Sequence, residues 1–271
     1  MKNRQYLHFL FICFLLVTPE TYADDLQKAN KAYEQQEYET AFELYTLLAE
    51  QGNVTAQAKL GLMYYWGWGT NPSNSLTYQW SLKAAKQNEP LAQQTMGFLY
   101  EEGIFVNQNT RRAAEWYQQS AAQNHYPAMA RLANIYYQGK DIPKNLKLAL
   151  KYAKQAAEAN NAFAQYMLGV IYQSDMQNYQ KAQQWFLKSI KNGYADAANA
   201  LGILYNNGLG QAKDRKRAYY WFKIADERGS KEGLTNRLNI RVDLEHEDIL
   251  RLEQEAHEWL KKNPIEKTAK I

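Results

Sequence analysis

The sequence predicts an all-α fold: an α/α solenoid of about six helix–turn–helix repeats with a C-terminal capping helix. Three observations predict it. A pattern of Ala, Leu-Gly and Tyr recurs as Ala56, Leu60-Gly61 and Tyr64, then as Ala92, Met96-Gly97 and Tyr100. It returns as Ala128, Leu132-Ala133 and Tyr136, as Ala164, Leu168-Gly169 and Tyr172, and as Ala197, Leu201-Gly202 and Tyr205. A second set of anchors, Leu44, Trp80, Trp116, Tyr152, Trp185 and Trp221, runs in phase at spacings of 36, 36, 36, 33 and 36. Eight residues after each anchor stands a Gly or an Asn: Gly52, Asn88, Asn124, Asn160, Gly193 and Gly229. Self-similarity at such a period marks stacked units, none of which buries its apolar face alone.

Each half of the unit reads as a helix. Ala92, Met96, Gly97 and Tyr100 sit at i, i+4, i+5 and i+8, on one face of a first helix. Gly97 weakens that helix by about 1 kcal/mol relative to Ala, so its recurrence implies a neighbour that needs the space. Gly67, Gly103, Gly139 and Gly208 follow the tyrosine where a left-handed cap ends the helix, with Asp175 in that slot of the fourth unit. Ser73, Asn109, Asn145, Asn178 and Asp214 are placed to cap the second helix. Ala113, Trp116 and Ser120 continue it as the apolar stripe. Trp80, Trp116, Trp185 and Trp221 share one framework position and are expected in the core. The junction Gly and Asn residues are those that enter the left-handed region most cheaply.

These residues resemble the Sel-one-like repeat family, a branch of the tetratricopeptide-type solenoids. Its pattern is met most fully by Ala197, Leu201, Gly202, Tyr205, Gly208, Gly210, Asp214, Arg217, Ala218, Trp221 and Gly229. The likeness covers roughly residues 26–235. Departures are Thr77 for the helix alanine, Asn for the last glycine in three units, and a three-residue deletion near Gln177. The resemblance implies a right-handed superhelix whose first helices line a concave side, and an adaptor role.

Residues 1–23 read as a signal peptide, with Lys2 and Arg4 ahead of an apolar Tyr6–Val17 stretch and a predicted cut after Ala23. That stretch is short for a span of about 20 residues, so no stable membrane span is expected after cleavage, and the mature chain is expected to be periplasmic or secreted. Cys13, the single cysteine, lies in this stretch, so the mature chain is held by packing without disulfides. Residues 24–53 read as an atypical first repeat, 54–232 as the regular repeats, and 233–262 as C-terminal capping helices. In the last of these, Ile249, Leu252, Ala256 and Trp259 share one side. Residues 263–271, opening on Asn-Pro, are expected to form a disordered tail.

The net charge of +4 is mild. The basic run Lys213–Arg217, with Arg111, Arg112 and Lys144 at matching places, reads as the solvated start of second helices rather than a nucleic-acid face. His246 and His257 lie eleven residues apart, about 16 Å along a helix, too far to hold one metal, and His125 is expected to be exposed in a turn. Gly67-Trp68-Gly69 and Gly208-Leu209-Gly210 belong to the repeat's own turn, not to a phosphate loop. The sequence contains no GxSxG motif, and no cysteine nucleophile remains after cleavage. It names no catalytic residue, cofactor or metal ligand.

Residues outside the framework carry the functional reading. Slots two, five and six after the leucine of each Leu-Gly pair should face the inner wall. They supply the candidate protein-binding set Tyr65, Trp66, Phe98, Glu101, Glu102, Asn134, Tyr137, Gln138, Gln173, Asn206 and Asn207. The expected function is a non-catalytic exported scaffold that binds a protein or peptide partner, with Glu101 and Glu102 favouring a basic one. One alternative is an envelope hydrolase or a β-lactam- or peptidoglycan-binding protein, as for some cysteine-rich secreted relatives. The chain lacks both those cysteines and a nucleophile constellation. A secreted host-interaction factor is the other alternative, and it differs in destination rather than chemistry.

Overall fold

Side-chain caps set where most of the helices begin. The computed structural model describes residues 19–265, with side chains from residue 24, and within them the chain forms fourteen helices and no strand. In order these are α1 (Pro19–Glu34), α2 (Tyr38–Glu50), α3 (Val54–Trp66), α4 (Asn74–Ala85), α5 (Pro90–Glu102), α6 (Thr110–Ala121) and α7 (Tyr126–Gln138). They continue as α8 (Leu146–Glu158), α9 (Ala162–Ser174), α10 (Tyr179–Lys191), α11 (Ala195–Asn207), α12 (Arg215–Glu227), α13 (Lys231–Arg241) and α14 (His246–Lys262). Residues 1–18 of the proposed signal segment and 266–271 of the proposed tail lie outside the described residues. The predicted cut after Ala23 falls within α1.

Ser73, Asn109, Asn145, Asn178 and Asp214 each accept a bond from the backbone N–H three residues on, at 2.8–3.4 Å. The glycines at the ends of α3, α5, α7 and α11 are left-handed. All six junction residues also have positive φ, from 61° to 97°. The fourth unit departs from expectation. Asp175 stays right-handed, and Gln177 takes the positive φ instead. The deletion leaves only a short turn between α9 and α10, and the reversal moves to its middle.

Every helix from α1 to α12 packs on the next, so the chain is an α/α solenoid of hairpins. First helices also touch across repeats, α3 with α5, α7 with α9 and α11 with α13, which places them on the inner side. The last helix breaks the alternation: α14 packs on α12. It buries Ile249, Leu252 and Ala256 there and sets Trp259 edge-on to Trp221 at 5.9 Å.

The core anchor lies one residue beyond the expected tryptophans. Tyr45, Tyr117 and Phe186 are fully buried, whereas Trp80, Trp116 and Trp185 are half-buried. Those tryptophans serve the boundary between repeats: Trp80 and Trp116 each pack on a cluster begun by the preceding repeat. Trp221 alone of the four is buried, beneath α14. The stripe of α6 is therefore Ala113, Tyr117 and Ser120.

Tyr117 explains the glycine. A Cβ placed on Gly97 would lie 2.6 Å from the Tyr117 ring, and Gly169 and Gly202 face Phe186 and Phe222 in the same way. Where the first helix has Ala133, the ring's place is taken by Ala153, also buried. Buried amides join the repeats. Gln57, Gln93 and Gln165 donate to the carbonyls of Ala49, Ala85 and Ala157, and accept from Gln87, Gln123 and Asn192. These bonds give a second donor to helix-end carbonyls that also accept the backbone N–H of Gly52, Asn88 and Asn160.

His125 is not exposed as expected. It lies largely buried at the start of α7 with Nε2 2.7 Å from Oε1 of Gln94, and burial lowers its pKa below the usual imidazole value.

Two predictions follow from this packing. Tyr117→Ala should destabilise the fold by about 3–5 kcal/mol and Gly97→Ala by about 1–3 kcal/mol. In the Tyr117→Ala background Gly97→Ala should cost nothing further, because the pair then matches Ala133 and Ala153; thermal melts of the four proteins measure the coupling. For His125 the folded pKa lies below the unfolded value of 6.5, so the unfolded chain binds the proton first and stability falls as pH drops through 6.5. His125→Gln should flatten that part of the stability–pH curve.

Candidate interaction groove

The inner wall carries two hollows, and the candidate residues divide between them. The larger encloses about 720 Å³ and runs diagonally across the first helices. It meets Leu62, Tyr65 and Trp66 late in α3, Gln94, Thr95 and Phe98 in mid α5, and Pro127, Ala130 and Arg131 early in α7. It ends at Phe163 in the first turn of α9 and Tyr194 ahead of α11.

Tyr65, Trp66 and Phe98 come together as a cluster. Tyr65 stands edge-on to Trp66 at 4.8 Å and to Phe98 at 5.4 Å, and Trp66 stacks on Trp68 at 5.8 Å. Trp66 remains 45% exposed, so a large apolar surface faces the groove without a partner among the described residues. Burial raises the Tyr65 pKa, with the charge of Glu102 adding to the effect. The phenol therefore stays a neutral donor at physiological pH.

Arg131 was not singled out by sequence, yet it is the cation of this groove. Its guanidinium lies 5.9 Å from the Phe98 ring and 5.6 Å from that of Phe163, within range of both ring faces. Nη1 is 3.9 Å from Oε2 of Glu101, and that same oxygen accepts the Tyr117 hydroxyl at 2.6 Å. Glu101 is thus held from both sides. Burial, followed by the adjacent Glu101 charge, drives the Tyr117 pKa well above its usual value.

The smaller hollow, of about 290 Å³, holds Glu101, Glu102, Asn134 and Gln138 and shares Arg131 with the groove. Gln138 donates to Asn134 at 3.1 Å, and Glu102 is exposed. Four candidates line neither hollow. Tyr137 lies under Lys144, 4.7 Å from its ring, where Lys144 pairs with Asp175 at 2.7 Å. Gln173 stands apart, and Asn206 donates to the neighbouring Asn207 at 3.3 Å. Phe163 and Tyr194 are the aromatic groove residues that the fixed slots missed. Arg215 and Lys216 lie elsewhere, paired with Asp243 and Asp248 beside the capping helices.

The groove offers ring faces and edges, one cation and several amides, which is the chemistry of anchoring an extended segment. Among the described residues no three His, Cys, Asp or Glu side chains are placed to hold a metal. No helix among them is long and apolar enough to cross a membrane.

A model of the Sel1 repeat matches residues 32–53, 54–89, 90–125, 127–161, 162–194 and 195–230. Among solved structures, a Sel1 repeat protein from Oxalobacter formigenes is similar at 26% identity over 90% of this chain and 98% of that one, with a TM-score of 0.71. A protective antigen of uropathogenic Escherichia coli with an SLR fold is similar at 22% identity and a TM-score of 0.59 over 90% of this chain. The chain spans only 64% of that longer protein. An immunity protein from Pseudomonas aeruginosa aligns at 20% identity over 76% of this chain and 84% of that one, with a TM-score of 0.53. The last two likenesses concern the fold alone. No curated protein matches the sequence. The six matched units span both the hairpins and the groove, and the chain belongs to the Sel1 repeat family.

Proposed function

We propose that this protein is a non-catalytic, exported scaffold that holds an extended segment of a partner protein in the groove of its first helices. Sel1 repeats form a generally non-enzymatic scaffold fold that commonly mediates protein–protein interaction. The observation that carries the reading is the Tyr65–Trp66–Phe98 cluster, which shares one hollow with Arg131 and has no framework duty. Aromatic and arginine side chains in a desolvated pocket are the usual energetic centres of interfaces. Rigid rings also lose little entropy when a ligand settles on them.

On this reading the partner places apolar side chains against the rings. A basic residue pairs with the exposed Glu102 and speeds association more than it adds affinity. The Asn134–Gln138 amides take backbone groups of the segment. Tyr137, Gln173, Asn206 and Asn207 serve a longer ligand further along the wall. Export rests on the amino-terminal segment, with Lys2 and Arg4 ahead of its apolar run.

A photoreactive phenylalanine at Tyr65 should crosslink a partner in intact cells. Trp66→Ala with Phe98→Ala should remove that product, at about 2 kcal/mol or more per hot-spot side chain, without moving the thermal melt. Arg215→Ala with Lys216→Ala should leave it in place. The opposite pattern would put the binding surface on the second helices. Protein recovered from the cell envelope or culture medium should begin at Asp24 on N-terminal sequencing; an intact Met1 on a membrane-bound form excludes the cut.

A further inference from the structure

The residues that follow α14 reach the groove. The last helix, α14, lies on α12 rather than on α13, and Ile265 beyond it reaches the turn between α10 and α11. There Arg228, just past α12, stacks over Trp259 at 4.9 Å. It donates to the carbonyl of Asn263 at 2.9 Å and to that of Ile190. The Asn263 side chain closes the helix by donating to the Trp259 carbonyl at 2.8 Å. Pro264 cannot continue a helix. Ile265 then lies against Gly193, where an added Cβ would sit 3.0 Å from its Cγ2, and lines the same hollow as Trp66, Phe98 and Arg131.

Arg228 has an origin in the repeat. The Ile190 carbonyl occupies the slot of Ala49, Ala85 and Ala157, whose carbonyls take a glutamine side chain. In this unit the glutamine slot holds Ala198, and Arg228 occupies the slot of Gln87, Gln123 and Asn192. Arg228 supplies the missing donor and uses a second N–H to hold Asn263. The slot of an amide bridge between repeats here clamps the residues that follow α14.

We propose that the Gly193 end of the groove is a subsite for an aliphatic side chain, filled in cis by Ile265 and opened when a partner's aliphatic residue displaces it. The inference rests on the groove being a binding surface for extended segments. Ile265 stays 46% exposed, so it is a weak occupant that a partner with several anchors outcompetes. Gly193 supplies the depth: at φ 92° it meets its left-handed geometry without strain and leaves no Cβ in the way.

The test uses the full chain and a labelled synthetic peptide of residues 263–271, Asn-Pro-Ile-Glu-Lys-Thr-Ala-Lys-Ile. Ile265→Asp in the protein should empty the subsite and tighten peptide binding about tenfold or more over the unchanged protein. The same change in the peptide should abolish its binding to the emptied protein. Equal affinity for both proteins, binding to neither, or indifference to the peptide's isoleucine would each overturn the proposal. Peptide binding reads the subsite and Tyr65 crosslinking reads the partner, so either reading can fail while the other stands.

Discussion

The structure depends on one close approach in each hairpin, where a residue of the first helix makes room for one of the second. Gly97 and Tyr117, Gly169 and Phe186, and Gly202 and Phe222 are the same interlock in three units. A mid-helix glycine costs about 1 kcal/mol relative to alanine. Burying a large aromatic ring returns about 1.5–3 kcal/mol, so the exchange is favourable even before the tighter helix packing is counted. The Ala133–Ala153 unit meets the same condition with less volume on the second helix. What is constant is the fit across the pair, not the residue at either position.

That fit explains which parts of the fold were legible in the sequence. Capping residues and junction glycines or asparagines act through their own backbone, so Asn109 or Asn124 announces its role without knowledge of its neighbours. Tyr117 does not. Adjacent Trp116 is the more regular of the two across repeats, and regularity alone selects it. Yet Trp116 recurs because it meets the preceding repeat, while the residue facing its own hairpin varies as Ser81, Tyr117, Ala153, Phe186 and Phe222.

The groove was legible by halves for a different reason. Tyr65, Trp66 and Phe98 stood out as bulky side chains without a framework duty, and they do share a surface. Fixed slots, however, assume that the wall runs straight along equivalent positions. The groove instead drifts from the end of α3 to the start of α9, so Arg131 and Phe163 enter it while Gln173 and Asn206 do not. The drift sums small rotations between hairpins, each set by many contacts. No single residue writes it down.

Core and groove are nonetheless joined through the interlock. Because Gly97 lets the Tyr117 ring approach the first helix closely, the phenol reaches Glu101 and donates to it. Tyr45 and Tyr219 likewise bury their rings and give their hydroxyls to Asn30 and Glu253, the usual arrangement for a phenol with one apolar and one polar end. In α5 the consequence reaches further. Glu101, fixed by the phenol, sets the electrostatic environment of Arg131, and Arg131 is held between Phe98 and Phe163. The groove's cation is thereby positioned by a residue of the buried core. On the proposed function, a substitution at Tyr117 would act on recognition as well as on stability, whereas one at Trp66 would act on recognition alone.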